Sequence, residues 1–364
     1  MTVHPASRYL LSPKVVLTGS GCHRAAVPDI AQFGTRALVL GGSRGLTAAA
    51  SLLDQLEQRL SHVHVQTFAG ECTTAAIAAL AQAAAGYDLL LGVGGGKAID
   101  TAKAAAIEAA VPCVTIPTSP ATCAAYTPLS ILHDKRGAYI ESRRLPRPID
   151  VMVLDPELMI GAPSRLLSAG CIDALARAWD TLLAARCGVP SSMAALSVAV
   201  CDRLWSGTLR PLAAVAVENN RTQRITPAFT AAVEACITGA GLAGQLGARF
   251  FGRSFSHAIG YALATVVDNA AVLHGETVGL GVLVQCALDS ETPVSLERMI
   301  EYFLTLSAPT RCADLGFSDL SKDAGEAMAS EAHSLLDLEA AVPFPVTVDD
   351  LYQSLLAVER IVSG

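Results

Sequence analysis

The stretch YDLLLGVGGGKAIDTAKAAAIEAAVPCVTIPT (87–118) joins an apolar run, four glycines, a lysine, an alanine-rich segment and a second apolar run. Apolar run, glycine turn, helix and apolar run is the pattern of a βαβ unit, and it predicts a parallel sheet covered by helices. The glycines add a chemical reading. Gly94, Gly95 and Gly96 let a ligand approach the backbone with no Cβ atoms in the way, and a helix beginning at Lys97 and Ala98 offers unpaired N–H groups and the positive end of its dipole. A pyrophosphate fits such a cradle, with Lys97 adding charge; a tight turn without ligand is the plainer alternative on these residues alone. Two familiar phosphate loops are excluded. For GxxxxGK[ST], Gly92 and Gly96 are one residue too close and Ala98 follows Lys97, while GxGxxG needs glycine at Lys97 and a place after the first strand.

The same alternation extends outward. RALVLGG (36–42) leads into a helix over about 45–60, then HVHVQTFAG (62–70), a helix near 73–85, the stretch quoted above, and VMVLD (151–155). After LDPELMIGAPSRLL (154–167) the alternation stops, and helical periodicity takes over in SAGCIDALARAWDTLLAAR (168–186), MAALSVAVCDRLWSGTL (193–209) and FTAAVEACITGAGLAGQLGARF (229–250). The expectation is a Rossmann-like α/β dinucleotide-binding domain over 1–160 and an all-helical domain over 161–364, with the site in the cleft between them.

Composition removes several function classes. The 364 residues are 52% apolar and 16% charged with a net charge of −7, and no basic run marks a nucleic-acid surface. The N-terminus lacks the features of a signal peptide, and prolines at 112, 117, 120 and 128 break the longest uncharged stretch, so neither export nor a membrane helix is expected and a cytoplasmic location is. Ten cysteines form no CxxC pair, and most read as small buried hydrophobes.

Two further groups carry chemistry. Gly42 closes RALVLGG and Ser43 and Arg44 follow, where an NAD-preferring domain usually has an acid for the ribose hydroxyl; an arginine there accommodates a 2′-phosphate, so NADP(H) is expected ahead of NAD(H), unless Arg44 is merely a solvated helix-start residue. In the second half, His257 and His274 are spaced as a helix, a loop and the start of another helix, and Asp173 lies on an earlier helical segment. One carboxylate and two imidazoles make an open divalent site, although spacing alone is a weak signal for it, since a lone helix histidine is more often a packed or surface residue.

Taken together, GVGGGKAIDTAK (92–103), PTSPATCAAYTPLS (117–130), GAPSRLLSAGCIDALA (161–176), SHAIGYAL (256–263) and HGETVGLGVLVQ (274–285) resemble, in order and over nearly the whole chain, the metal-dependent glycerol dehydrogenases of the iron-containing alcohol dehydrogenase superfamily. TCAAYTPLS and GLAGQLGARF (241–250) look most like its 2-hydroxycarboxylate dehydrogenase branch. The resemblance implies an NAD(P)(H)-dependent oxidoreductase for a small alcohol or 2-hydroxy acid, a Zn2+ or Fe2+ ion on Asp173, His257 and His274, and a homo-oligomer, dimer or octamer. It also implies that Thr118, Ala121, Thr127, Leu129 and His133 approach the nicotinamide end. Two departures stand out. Cys123 replaces the aspartate that contacts polyol in glycerol dehydrogenases, which makes a substrate carboxylate more acceptable; Cys123 is otherwise a small wall residue. Gly260 replaces a second histidine of an HAxH motif near the nicotinamide, which shifts proton transfer to water, ribose hydroxyls or a side chain such as His133. Polyol oxidation, a redox-neutral lyase like dehydroquinate synthase, and a cofactor-binding protein without catalysis are the competing readings.

Overall fold

The structure, a computed structural model, describes residues 9–247, 254–266, 272–317, 320–336 and 342–363. The last three residues of the two quoted segments that end at 250, residues 248–250, lie outside the described residues.

The stretch 87–118 folds as its pattern requires. Strand β4 (Leu89–Gly94) is buried at every position, as expected of a parallel strand covered on both faces. It turns through the glycines into a helix, Gly96–Glu108, and returns as β5 (Cys113–Pro117). Leu89, Leu91 and Val93 pack into one apolar cluster and Leu90 into another, so the strand's alternation feeds both faces. The six-stranded sheet has the order β1-β8-β5-β4-β2-β3 and is parallel throughout, with β1 at Val15–Thr18, β2 at Arg36–Gly41, β3 at His62–Thr67 and β8 at Val151–Leu154. Helices α1 (Cys22–Ala25), α2 (Val27–Ala31), α3 (Ser43–Ala48), α4 (Ala50–Arg59), α5 (Thr74–Ala84) and α6 (Gly96–Glu108) cover it.

Three features differ from the sequence reading. Strand β1 is absent from the sequence reading; it is four residues long, and it exists because Val15–Thr18 pairs with its neighbour Val151–Leu154, which is distant in sequence. The turn GGSRG therefore follows the second strand of the sheet, not the first. Residues 129–144 form an antiparallel hairpin, β6 (Leu129–His133) and β7 (Tyr139–Arg144), whose second strand is largely exposed and carries charges, so no apolar alternation announced it. The helix expected over 45–60 is two helices divided at Ala49.

Beyond β8 no strand occurs among the described residues. The helices are α7 (Ser164–Ala185), α8 (Ser192–Leu204), α9 (Arg210–Arg221), α10 (Pro227–Glu234), α11 (Ala240–Gly247), α12 (Phe255–Val266), α13 (His274–Leu288), α14 (Leu296–Thr305), α15 (Lys322–Leu335) and α16 (Val348–Ser363). Single π turns at Trp205–Leu209 and Ala235–Gly239 interrupt two of the long helical stretches. One apolar cluster joins α7, α9, α12, α13 and α16, and it includes Ile99, Met152 and Leu154 from the sheet side. None of the described helices is long and apolar enough to cross a membrane.

Candidate active site

Two glycine turns meet at the C-terminal ends of neighbouring strands. The chain runs from β2 outward to β3 and then back across to β4, and ligands of open α/β sheets bind at such a reversal. Gly94 has φ +132°, which a side chain would resist, and a Cβ on Gly45 would lie 2.9 Å from the Gly94 Cα. The two turns are thus packed backbone to backbone. Helix α6 starts without a side-chain cap, so its first N–H groups face the cleft. Thr118 N donates to Gly94 O at 3.0 Å and ties the loop after β5 to the glycine turn.

That loop is held from below by Lys103. Its side chain is fully buried, pairs with Asp100 at 2.7 Å, and donates to the carbonyls of Ala124 (2.6 Å), Thr127 (3.1 Å) and Leu129. Asp100 also accepts from Ile131 N, which anchors β6. Burial pushes the Asp100 carboxyl up, and the Lys103 ammonium opposes that shift. Lys103 thereby fixes the segment carrying Cys123, Thr127 and Leu129.

The second wall comes from three helices. Asp173 lies on α7, His257 in the first turn of α12, and His274 opens α13. Asp173 Oδ1 is 3.7 Å from His257 Nε2 and 3.7 Å from His274 Nε2, and one donor atom from each residue lies within 4.8 Å of the others. His257 Nδ1 is 2.7 Å from Asp180 Oδ2, while Asp180 Oδ1 accepts from Ser256 N at 2.6 Å. Assigning the proton to Nδ1, where Asp180 accepts it, leaves the Nε2 lone pair as a ligand atom on the side of Asp173 and His274, which is how a carboxylate orients an imidazole ligand. Burial and Arg177 oppose a charge on His257, but Asp173 and Asp180 outweigh them and hold its pKa up. His274 is held well below the usual imidazole range by desolvation, against the pull of Asp173. Asp173 is kept low despite its burial by His257 and His274. The donor set and its supports fit a divalent ion. A second acidic cluster, His23, Asp155 and Glu157, is otherwise engaged: Asp155 accepts from the backbone N–H groups of Gly21, His23 and Glu157, and Glu157 pairs with Arg24.

Both walls line one cleft of about 1930 Å3, which contains every residue expected at the cofactor or the metal. Their environments differ from the expectation in three places. Lys97 Nζ is paired with Glu71 across the cleft mouth rather than standing alone over the glycines. Gly260 does not face the cleft: a Cβ there would lie 2.8 Å from Val278 Cγ1 and 3.0 Å from its backbone, so the glycine serves close packing of α12 on α13. Tyr261, the next residue, is the one at the cleft, with its ring 5.9 Å from that of His274. Cys123 lies on the wall with its thiol pushed up to about 12 by burial and by Asp173, which favours the neutral thiol over a thiolate nucleophile near neutral pH. Seven of the ten free cysteines are buried, as expected of small core residues.

Sequence reasoning missed Asp180 and Arg177. Both lie on the Asp173 face of α7, at i+7 and i+4, and the spacing in DALARAWD was the available signal. α7 itself is pressed onto the cofactor loop: a Cβ at Gly170 would meet Pro120 O at 1.9 Å.

A family model described as iron-containing alcohol dehydrogenase matches residues 13–156. Hydroxycarboxylate dehydrogenase A of Escherichia coli K12 is 31% identical over 326 residues, covering 86% of each chain. The chain belongs to the iron-containing alcohol dehydrogenase family. Glycerol dehydrogenase of Thermotoga maritima is 29% identical over 357 residues and 96% of each chain. The crystal structure of a probable glycerol dehydrogenase from Sinorhizobium meliloti 1021 superposes with a TM-score of 0.83 at 29% identity, covering 98% of this chain and 99% of that one. As a member of that family, the protein is an NAD-linked, metal-dependent oxidoreductase acting on alcohol groups.

Proposed function

We propose that the enzyme interconverts small 2-oxo acids and 2-hydroxy acids, with NADP(H) preferred over NAD(H). The observation that carries the substrate class is Cys123. A neutral thiol stands at the cleft wall close enough to Asp173 for that carboxylate to act on its pKa, where an acid would repel a substrate carboxylate. The 31% identity to a hydroxycarboxylate dehydrogenase supports the same reading. Polyol oxidation is the second reading, because glycerol dehydrogenases also match along nearly the full length.

In this reading the backbone of Gly94, Gly95 and Gly96 and the start of α6 bind the pyrophosphate, and Gly42, Ser43 and Arg44 receive the adenosine ribose. Arg44 is exposed at the start of α3, suited to a 2′-phosphate. Thr118, Ala121, Thr127 and Leu129 position the nicotinamide. Asp173, His257 and His274 would hold a zinc or iron(II) ion, which would supply Lewis acidity, and a bound nicotinamide would supply the hydride chemistry. Asp180 keeps the His257 ring in its ligating tautomer. His133, at the end of β6 in the same cleft, exchanges the proton with solvent. A division of the chain near residue 160 accounts for the two walls. A homo-oligomer, dimer or octamer, and a cytoplasmic location belong to the same reading, the latter supported by ten free thiols.

The test is a steady-state comparison of 2-oxobutyrate and glycerol with both cofactors after metal reconstitution. A higher kcat/KM for 2-oxobutyrate with NADPH is expected. Preference for glycerol would overturn the substrate class, and equal rates with NADH and NADPH would sink the cofactor preference.

A further inference from the structure

Arg177 has no place in the hydride chemistry, yet it occupies the centre of the metal wall. It sits one turn after Asp173 on α7, partly buried, and lines the same cleft as His257 and His274. The other cations that line the cleft stand on its α/β side: Lys97 is paired with Glu71, and Arg44, Lys135, Arg136 and Arg144 lie on α3 and the β6–β7 hairpin, so Arg177 is the one arginine or lysine that the described helical wall presents to the cleft. Among the described residues no carboxylate comes within ion-pair distance of the Arg177 guanidinium. Its polar neighbour is His257, with Nη2 at 3.4 Å from Nε2.

That neighbour is a temporary one. His257 Nδ1 already bonds Asp180, so the lone pair that Arg177 touches is the same one His257 offers to a metal. Once the ion takes it, a guanidinium fork with five donors is left beside a dication without an acceptor. Asp180 is spent on His257 and Ser256, and Asp173 on the ion, so neither can turn to Arg177. The two carboxylates balance the dication, and Arg177 leaves the loaded site with one net positive charge. A neutral polyol cannot compensate it, whereas a carboxylate accepts two parallel hydrogen bonds from guanidinium. Cys123, on the loop facing α7, adds no competing negative charge.

We infer that Arg177 is the substrate-carboxylate anchor, which makes it the residue that selects 2-oxo and 2-hydroxy acids over uncharged alcohols and ketones. The inference rests on the 2-oxo acid reading and names the residue that enforces it.

The test uses the metal-loaded enzyme and the variants Arg177→Gln and Arg177→Lys. Affinity for oxamate, an unreactive 2-oxo acid mimic, is measured by calorimetry with NADPH bound, and kcat/KM is compared for 2-oxobutyrate and uncharged 1-hydroxy-2-butanone. Arg177→Gln should weaken oxamate and lower kcat/KM for 2-oxobutyrate by roughly 10- to 150-fold, the worth of charge-assisted hydrogen bonds. 1-Hydroxy-2-butanone should change little, the metal content should hold, and Arg177→Lys should recover part of the oxamate affinity. Unchanged oxamate affinity in Arg177→Gln, or equal losses on both substrates, overturns the inference. The failures separate cleanly: a wild-type enzyme that prefers glycerol to 2-oxobutyrate defeats the substrate reading, whereas one that prefers 2-oxobutyrate but is indifferent to Arg177→Gln defeats only the anchor.

Discussion

Gly275→Ala is expected to strip the enzyme of its metal. Gly275 follows His274 at the start of α13, and a Cβ built there lies 1.9 Å from Ala169 O and 2.6 Å from Ala169 C on α7. Both contacts are backbone, so no side chain can turn aside. An unforced carbon–oxygen contact needs about 3.3 Å, so α13 and α7 must separate locally by about 1.4 Å. The start of α13 cannot simply swing away, because Glu276 is clamped to α7 by two hydrogen bonds from Arg165, at 2.5 and 2.7 Å. His274 is carried with the displaced turn, whereas metal–ligand distances tolerate only about 0.2 Å. Overpacking of this kind costs about 1–3 kcal/mol of stability, and a displaced ligand should weaken metal binding by at least about 100-fold. Metal affinity is read by competition with a chromogenic chelator, beside a thermal unfolding curve. Gly86→Ala, where an added Cβ meets nothing within 4 Å, is the control. Wild-type metal affinity in Gly275→Ala would refute both the close approach of the helices and the role of His274.

Other substitutions probe separate parts of the site. Asp173→Ala or His257→Ala should abolish bound metal and turnover, and Asp180→Asn should weaken metal binding by roughly 10- to 100-fold while leaving the ligands in place; full activity in either of the first two contradicts the ligand assignment. Lys103→Met strands Asp100 and three carbonyl oxygens in the interior and should cost about 3–5 kcal/mol in urea unfolding, with poorer cofactor binding through the 118–129 loop. A loss under about 1 kcal/mol would mean that the loop is held otherwise. Cys123→Asp places a carboxylate beside Asp173 and opposite Arg177, and should lower kcat/KM for 2-oxobutyrate relative to glycerol; an unchanged ratio removes Cys123 from the specificity argument. In the unmodified enzyme Cys123 should resist iodoacetamide at pH 7–8, since its thiol is held near 12.

Much of this was legible in the sequence because it is local. Strand alternation in LLLGVG, the glycines after it and the helix that follows are set by steric preferences within a few residues, and they located β4, α6 and β5 to within a residue or two. The order of motifs along the chain carried the family. What the sequence left open depends on which faces meet across long separations. Val15–Thr18 is a strand only because β8 supplies its partner, and Gly260 serves helix packing because Val278 lies against it. The pairing of Lys97 with Glu71, and the absence of a carboxylate partner for Arg177 among the described residues, likewise depend on which side chains meet in space. Hydrogen bonds and charges act over a few ångströms in space, not over residues in sequence. The chain alone therefore determined which elements form and which chemical groups are available, and the tertiary structure decided which of those groups are engaged with one another and which are left for a ligand.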